Sequence, residues 1–207
     1  MMTRLMSALA VVFLIAAARP VSAQSLSDLR KLYDAGQYQQ TMANASAAQV
    51  SGDEQPRVTY LVAQSHQKLG HRDEARQAYG QLAARDEGDA WRDVGRSAVA
   101  LLAPDAAAAL DAANQGVAHG DSLAEAHYQR GLALSVRQDM ANAAAAFERA
   151  TELDPSWADA HYYAGLAYSK IKRIDVMASH FDAFLRLAPR SPARPEVQSI
   201  MRTLAGR

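Results

Sequence analysis

The chain has 207 residues, of which 49% are hydrophobic and 21% charged, a balance typical of one or two folded domains. Basic and acidic residues both total 22, so the net charge gives no electrostatic reason to expect nucleic acid or an anionic membrane as a partner. The chain contains no cysteine, which excludes disulfides, thiol chemistry and cysteine-based zinc sites.

The N-terminal segment has the pattern of a secretory signal peptide. Arg4 supplies the positive start, residues 5–18 are apolar, and Val21-Ser22-Ala23 has the small-x-small form of a cleavage site. Cleavage is favoured over an uncleaved membrane anchor, because the 14 apolar residues fall short of the ~20 that a spanning helix needs. We expect a mature chain from Gln24, with 20 basic and 22 acidic residues (net charge −2), in the periplasm or secreted.

From Ser25 onward, alanine-rich stretches favour helix and a turn recurs. Gly36 and Gly70 lie in similar sequence contexts, and the number of residues between them recurs as a spacing further along the chain. Glycine is expected at such a turn, because a helix often ends in a left-handed residue that costs glycine little. Around the second turn, apolar residues are spaced as on two packed helices: Tyr60, Ala63, Ala75, Tyr79 and Leu82.

The third stretch is the least regular. Trp91 and Gly95 predict the start of a first helix, and Pro104 predicts its end. The interval from Gly95 to Gly131 is longer by two than the interval from Gly131 to Gly165, so we expect two extra residues in a 101–105 loop. Two extra residues in a loop cost little free energy of folding.

The clearest pattern is one segment written twice, starting at Ala124 and again at Ala158, and the interval between these starts is the repeat length. Self-similarity at a fixed period of about 34 residues indicates a solenoid, in which each unit buries its apolar face against its neighbours. The matching pairs are His127 with His161, Tyr128 with Tyr162, Gly131 with Gly165, Phe147 with Phe181, and Pro155 with Pro189.

Local signals complete this part of the chain. Ser122-x-x-Glu125 and Ser156-x-x-Asp159 match the capping box that begins a helix. After Pro192, an apolar stripe at helical spacing predicts a terminal helix that covers the last unit. The stripe consists of Val197, Ile200, Met201 and Leu204.

These positions resemble the tetratricopeptide repeat (TPR) family, whose pattern is an aromatic, a glycine, a small residue, an aromatic, a small residue and a proline. The resemblance implies an all-α fold, a right-handed α-solenoid of about five helix-turn-helix units with a C-terminal capping helix. The expected division is a signal peptide (1–23), a TPR solenoid (24–191, in units 24–55, 56–87, 88–123, 124–157 and 158–191) and a capping helix (192–207).

The resemblance also implies that the first helices of successive units line a concave face on which ligand segments lie. Tyrosine recurs there and suits peptide recognition, because it offers large apolar area and a hydroxyl group. The alternative, equally weighted, is that these tyrosines pack as core between helices. The candidate partner-binding residues are Tyr60, Gln64, Arg92, Arg96, Tyr128, Leu132, Tyr162, Leu166 and Lys170, with Glu125 and Asp159 at further groove positions.

The chain lacks the motifs of an enzyme or a metal site, such as HExxH, GxSxG or a phosphate-binding loop. His127 and His161 are interpreted as packing residues. We expect no cofactor, no metal and no catalysis, and an extracytoplasmic scaffold or adaptor that binds a partner protein or peptide in the groove, without nucleic acid or a membrane span after cleavage. The alternative is a self-associating structural subunit of an envelope or secretion assembly, which would form a homo-oligomer.

Overall fold

The chain folds as a succession of α-helices joined by short turns. The computed structural model describes residues 25–205, with side chains to residue 203, so the predicted signal peptide and its cleavage site lie outside the described residues. The helices are α1 (Leu26–Asp34), α2 (Tyr38–Ala45), α3 (Gln55–Lys68), α4 (Arg72–Ala83), α5 (Ala90–Leu102), α6 (Ala106–His119), α7 (Ala124–Val136), α8 (Met140–Leu153), α9 (Ala158–Lys170), α10 (Ile174–Leu187) and α11 (Arg194–Ala205).

Helices α1 to α10 form five consecutive helical hairpins, which makes the described chain an all-α repeat solenoid. The second helix of each hairpin begins one repeat length after the previous one, at Tyr38, Arg72, Ala106, Met140 and Ile174. The third hairpin therefore keeps the period, and the predicted insertion in the 101–105 loop is wrong.

The register of the third unit also differs from the prediction. Ser97, which lies one repeat length before Gly131, occupies the equivalent position and is fully buried. Gly95 instead faces α4, where a Cβ atom would lie 2.4 Å from the Ala83 backbone nitrogen. The predicted alignment of Gly95 with Gly131 is therefore wrong by two residues. Both glycines allow two helices to approach closely, which made them look equivalent in sequence.

A glycine beneath a phenylalanine ring fixes the packing within the two clear units. A Cβ atom on Gly131 would lie 2.6 Å from Cδ1 of Phe147, and one on Gly165 would lie 2.5 Å from Cδ1 of Phe181. Both phenylalanines are fully buried, so neither ring has space to move aside. The two helices of each hairpin approach so closely only because the glycines carry no side chain.

The predicted capping boxes at Ser122 and Ser156 are wrong. Helix α7 begins after Leu123 and α9 begins after Trp157, and neither residue caps its helix with a side-chain hydrogen bond. Glu125 and Asp159 are buried and bind residues of other helices instead. A complete capping box does occur on α1, between Ser25 and Asp28.

The two ends of the solenoid are covered differently. At the C-terminal end, α11 buries Val197 fully and packs Ile200 and Met201 against the main core, as predicted, while the Leu204 side chain lies outside the described residues.

Within residues 25–205, no helix has both the length and the apolar character to cross a membrane.

At the N-terminal end, α1 and α2 form a hairpin (residues 26–45) whose apolar contacts lie outside the main core. A separate cluster of four buried residues joins it to α3, while the main core runs through the other four hairpins and reaches α11. The four are Leu29, Tyr33, Val58 and Leu61. The connection from α2 to α3, residues 46–54, is also the longest between described helices.

Gly131→Ala should lower the free energy of unfolding by about 1–2 kcal/mol, because its Cβ atom overlaps the fixed ring of Phe147. Gly80→Ala is a matched control on α4, where nothing lies within 4 Å of the added methyl group. It should raise the free energy of unfolding by about 0.5–1 kcal/mol, since alanine favours helix over glycine. Urea denaturation measures both, and equal effects of the two substitutions would contradict the packing.

Candidate partner-binding groove

The first helices of the hairpins face a common interior with Trp157 at its centre. The Trp157 ring lies 6.3 Å from the ring of Tyr60 on α3 and 4.5 Å from that of Tyr128 on α7. Arg30 of α1 lies over the same ring, with its guanidinium carbon 5.7 Å from the ring centre. Trp157 is only 4% exposed, so the protein's own aromatic side chains fill the concave face.

Polar contacts connect the first two hairpins to the last one. The Tyr33 hydroxyl on α1 donates a hydrogen bond to Asp159 on α9, at 2.9 Å. Lys68 Nζ on α3 lies 3.3 Å from the same carboxylate, and Arg30 pairs with Asp154 just before α9. The solenoid therefore closes on itself, whereas the units of a repeat protein ordinarily contact only their neighbours.

A second set of polar contacts joins α3 to α7. Arg57 Nε donates a hydrogen bond to Glu125 Oε1 at 3.0 Å, and the Gln129 amide donates one to the Tyr60 hydroxyl at 2.7 Å. Glu125 is 2% exposed, and its other oxygen has no partner among the described groups. Arg57 is thus the residue that compensates a buried charge.

Three of the predicted groove residues are buried. Tyr60 is 3% exposed, Gln64 6% and Tyr128 2%, so in the arrangement described the two tyrosines pack as core, which is one of the two alternatives that the sequence left open. They face the predicted groove, but Trp157 and α1 cover them. Whether they contact a partner stays a prediction.

The other predicted site residues are spread over the surface and the groove edge. Tyr162 is half-buried, packs on Phe184 and donates a hydrogen bond to Glu196 at 3.0 Å. Arg96 is engaged by Asp93 and Gln115, so it acts within its own hairpin. Arg92, Leu132 and Leu166 are half-buried, and Lys170 is exposed.

Two adjoining clefts separate the N-terminal hairpin from the C-terminal helices. The larger, about 660 Å³, lies between α1–α2 and the end of α10, and the smaller, about 360 Å³, lies beside Tyr162 and Lys68. Asp34 and Ala188 line both clefts. The larger cleft combines the amides Gln37, Gln40 and Asn44 with the apolar Leu32 and Leu187.

The clefts contain groups with altered acidity. Burial, followed by the negative charge of Asp159, raises the pKa of Asp34 to about 7. Burial and Asp159 also raise the pKa of Tyr33. Burial opposes the charged form of Lys68, but Asp159 outweighs it and raises the Lys68 pKa above its usual value. At neutral pH Lys68 is therefore a cation and Asp34 is only partly ionised.

His127, His161 and His180 pack between helices. His127 is buried, with Nε2 2.9 Å from the Asp121 carbonyl oxygen. The Nδ1 atoms of His161 and His180 lie 3.1 Å apart, and burial lowers the pKa of both rings. Within residues 25–205, no group of three or more His, Asp or Glu side chains is arranged to hold a metal ion.

Sequence reasoning missed Arg30, Tyr33, Arg57 and Trp157 as interior residues. One signal was available for Arg57, because it occupies the same position in its unit as Glu125 and Asp159 do in theirs. A basic residue and two acidic residues at one interior position indicate pairing across the groove. Arg30 and Tyr33 carry no such signal, because no charged residue occupies the equivalent positions in the later units.

The chain matches known repeat proteins in sequence and in fold. Residues 58–87 and 124–157 each match a tetratricopeptide repeat family model, and no curated protein matches the chain. Its fold is similar to that of TTC0263, a thermophilic TPR protein in Thermus thermophilus, with 20% identity, a TM-score of 0.60 and coverage of 85% of this chain and 96% of that one.

Two other solved structures share similarity at lower scores. The "41-end" form of MamA from Desulfovibrio magneticus RS-1 has 20% identity, a TM-score of 0.47 and coverage of 78% of this chain and 91% of that one. YrrB, a TPR protein with an unusual peptide-binding site, has 20% identity, a TM-score of 0.47 and coverage of 79% of this chain and 84% of that one.

Arg57→Ala should lower the free energy of unfolding by about 2 kcal/mol, because it leaves the buried Glu125 without its cation. Arg76→Ala is the matched control, since Arg76 pairs with Asp73 at an exposed site 3.8 Å away. Such a pair contributes less than about 0.5 kcal/mol. Equal losses in urea denaturation would mean that the contact between α3 and α7 is not a buried ion pair.

Proposed function

Because the chain is a tetratricopeptide repeat protein, we propose that it acts as an extracytoplasmic scaffold or adaptor that binds a partner protein or peptide. The family supports an interaction module in place of an enzyme. The interior carboxylates agree with a non-enzymatic role, since Arg57 pairs with Glu125, and Tyr33 and Lys68 engage Asp159. They are used in packing and are not presented to a substrate.

The observation that carries the proposal is the cleft between α1–α2 and the end of α10. A volume of about 660 Å³ lies within the range of ligand sites, and its lining mixes apolar surface with amide side chains. An extended peptide needs this combination, because its side chains require apolar contact and its backbone requires donors and acceptors. The side-chain amides of Gln40 and Asn44 on α2 each supply a hydrogen-bond donor and an acceptor. Tyr162 lies at the adjoining smaller cleft.

Affinity capture from an envelope extract tests this site, with the mature chain from Gln24 as bait and mass spectrometry as readout. Gln40→Arg places a long charged side chain in the cleft and should abolish capture of the partner. Gln39→Arg is the matched control, because Gln39 is exposed on the same helix and does not line the cleft. A partner retained equally by both variants would remove the cleft as the binding site.

The predicted location is part of the proposal and rests on the N-terminal sequence. We expect N-terminal sequencing of the protein from its native host to begin at Gln24, with the protein in the periplasmic or secreted fraction. An N-terminus that retains residues 1–23, in the cytoplasmic fraction, would overturn the extracytoplasmic role and leave the interaction role to be tested by capture.

A further inference from the structure

The smaller of the two clefts carries more negative charge than its own residues compensate. Asp34 and Asp159 both line it, and Lys68 is the one basic residue among the described residues that do so. The Lys68 ammonium group lies 3.3 Å from the Asp159 carboxylate, so these two charges balance each other. Glu196 accepts a hydrogen bond from Tyr162 of the cleft wall and adds a second negative charge nearby. The charge of Asp34 is therefore left without a cation.

The basic residues around Asp34 are engaged elsewhere. Three of them form ion pairs with other carboxylates, Arg30 with Asp154, Lys68 with Asp159 and Lys31 with Asp28. Arg190 lines the larger cleft, but it is exposed and forms no ion pair with Asp34. Within residues 25–205, Asp34 thus faces two open clefts as a carboxylate without a partner, and a cation from outside the chain is what it lacks.

Aromatic rings form much of the wall of the smaller cleft. The rings that line it are those of Tyr33, Tyr38, Tyr162 and Phe184. Aromatic faces attract cations, and rings beside a carboxylate suit the charged end of a lysine or arginine side chain. The chain already uses this combination next to the cleft, where Lys68 lies 6.0 Å from the ring centre of Tyr163 and close to Asp159. The cleft volume of about 360 Å³ has room for one such side chain.

We propose that a partner peptide in the larger cleft inserts a lysine or arginine side chain into the smaller cleft, where its charge pairs with Asp34. This inference deepens the proposed function and rests on it, because the peptide backbone lies between α1–α2 and the end of α10. The two clefts adjoin at Asp34 and Ala188, so a side chain that leaves the backbone there enters the smaller cleft. The partner is therefore a peptide segment with a basic residue.

This pairing makes binding depend on pH. Burial and the charge of Asp159 raise the pKa of Asp34 to about 7 in the free protein, so the carboxyl group is mostly neutral in mildly acidic solution. A lysine or arginine keeps its charge there and favours the ionised carboxylate. Binding therefore releases a proton and strengthens as the pH rises through about 7.

The other groups around Asp34 do not produce the same pH dependence. Besides the ion pairs and Arg190 named above, the titratable groups there are Tyr33, Tyr38, Tyr162 and Glu196. Burial raises the pKa of each of the three tyrosines further above neutral, so their hydroxyl groups stay protonated in this range. Asp34 is thus the group whose substitution tests the pairing.

Selection from a random decapeptide library displayed on phage identifies the side chain that the site takes, with the mature chain from Gln24 as bait at mildly alkaline pH. We expect lysine or arginine to be enriched at one position of the selected peptides, and Asp34→Asn to abolish that enrichment. Asp73→Asn is the matched control, since the Asp73 side chain is 92% exposed on α4, and it should retain the enrichment.

The selection separates this inference from the function on which it rests. Selected peptides without a basic residue would overturn the pairing with Asp34. Loss of the same peptides on Gln40→Arg would still place them in the larger cleft and retain the peptide-binding role. If the parent chain selects no peptide, both are overturned.

Fluorescence anisotropy with one selected peptide measures the pairing itself. At about pH 8.5, replacing the basic residue of the peptide by norleucine should weaken binding about tenfold, and Asp34→Asn should do the same. The two changes together should cost no more than either alone, because both remove one ion pair. Circular dichroism of Asp34→Asn should match that of the parent.

The affinity of the parent for that peptide should rise about fivefold between about pH 6 and about pH 8.5, since Asp34 is only about one-tenth ionised at the lower pH. The increase should be absent in Asp34→Asn and with the norleucine peptide. Additive losses in the two substitutions, or a pH dependence that persists in Asp34→Asn, would overturn the proposal.

Discussion

Asp159 joins the two ends of the solenoid. Its carboxylate accepts a hydrogen bond from the Tyr33 hydroxyl and lies beside Lys68. Both partners are far from α9 in the sequence, on α1 and α3. A buried carboxylate costs several kcal/mol unless cations and donors surround it. Lys68 of α3 supplies the cation and Tyr33 of α1 the hydrogen-bond donor, so this one carboxylate holds α9 to both of the first two hairpins.

This closure changes how the repeats share stability. In an open solenoid each unit contributes its own free energy and an interface with its neighbours. Here the first and fifth hairpins also stabilise each other, so loss of either end exposes the same interior. The glycine–phenylalanine contacts hold the two last hairpins independently of the closure, because Phe147 and Phe181 lie within their own units.

The repeat period allowed the fold to be predicted, because glycine, aromatic and turn positions are local signals. Gly36 and Gly70 adopt positive φ angles of 76° and 78°, as a turn glycine should. Local rules failed where a distant partner competed. Glu125 and Asp159 match capping boxes in sequence, but Arg57 pairs with Glu125 and Lys68 with Asp159 across the groove. The closure itself depends on contacts between distant units, which no single residue encodes, so the sequence left burial of Tyr60 and Tyr128 as one of two alternatives.

The most direct test is the distance between the two walls of the larger cleft. The chain has no cysteine, so Gln40→Cys with Arg190→Cys places two nitroxide labels without other changes. These residues lie on α2 and after α10, and both line that cleft. Pulsed electron paramagnetic resonance should give one short, narrow distance distribution. A long or broad distribution, as an open solenoid would give, would contradict the closed arrangement.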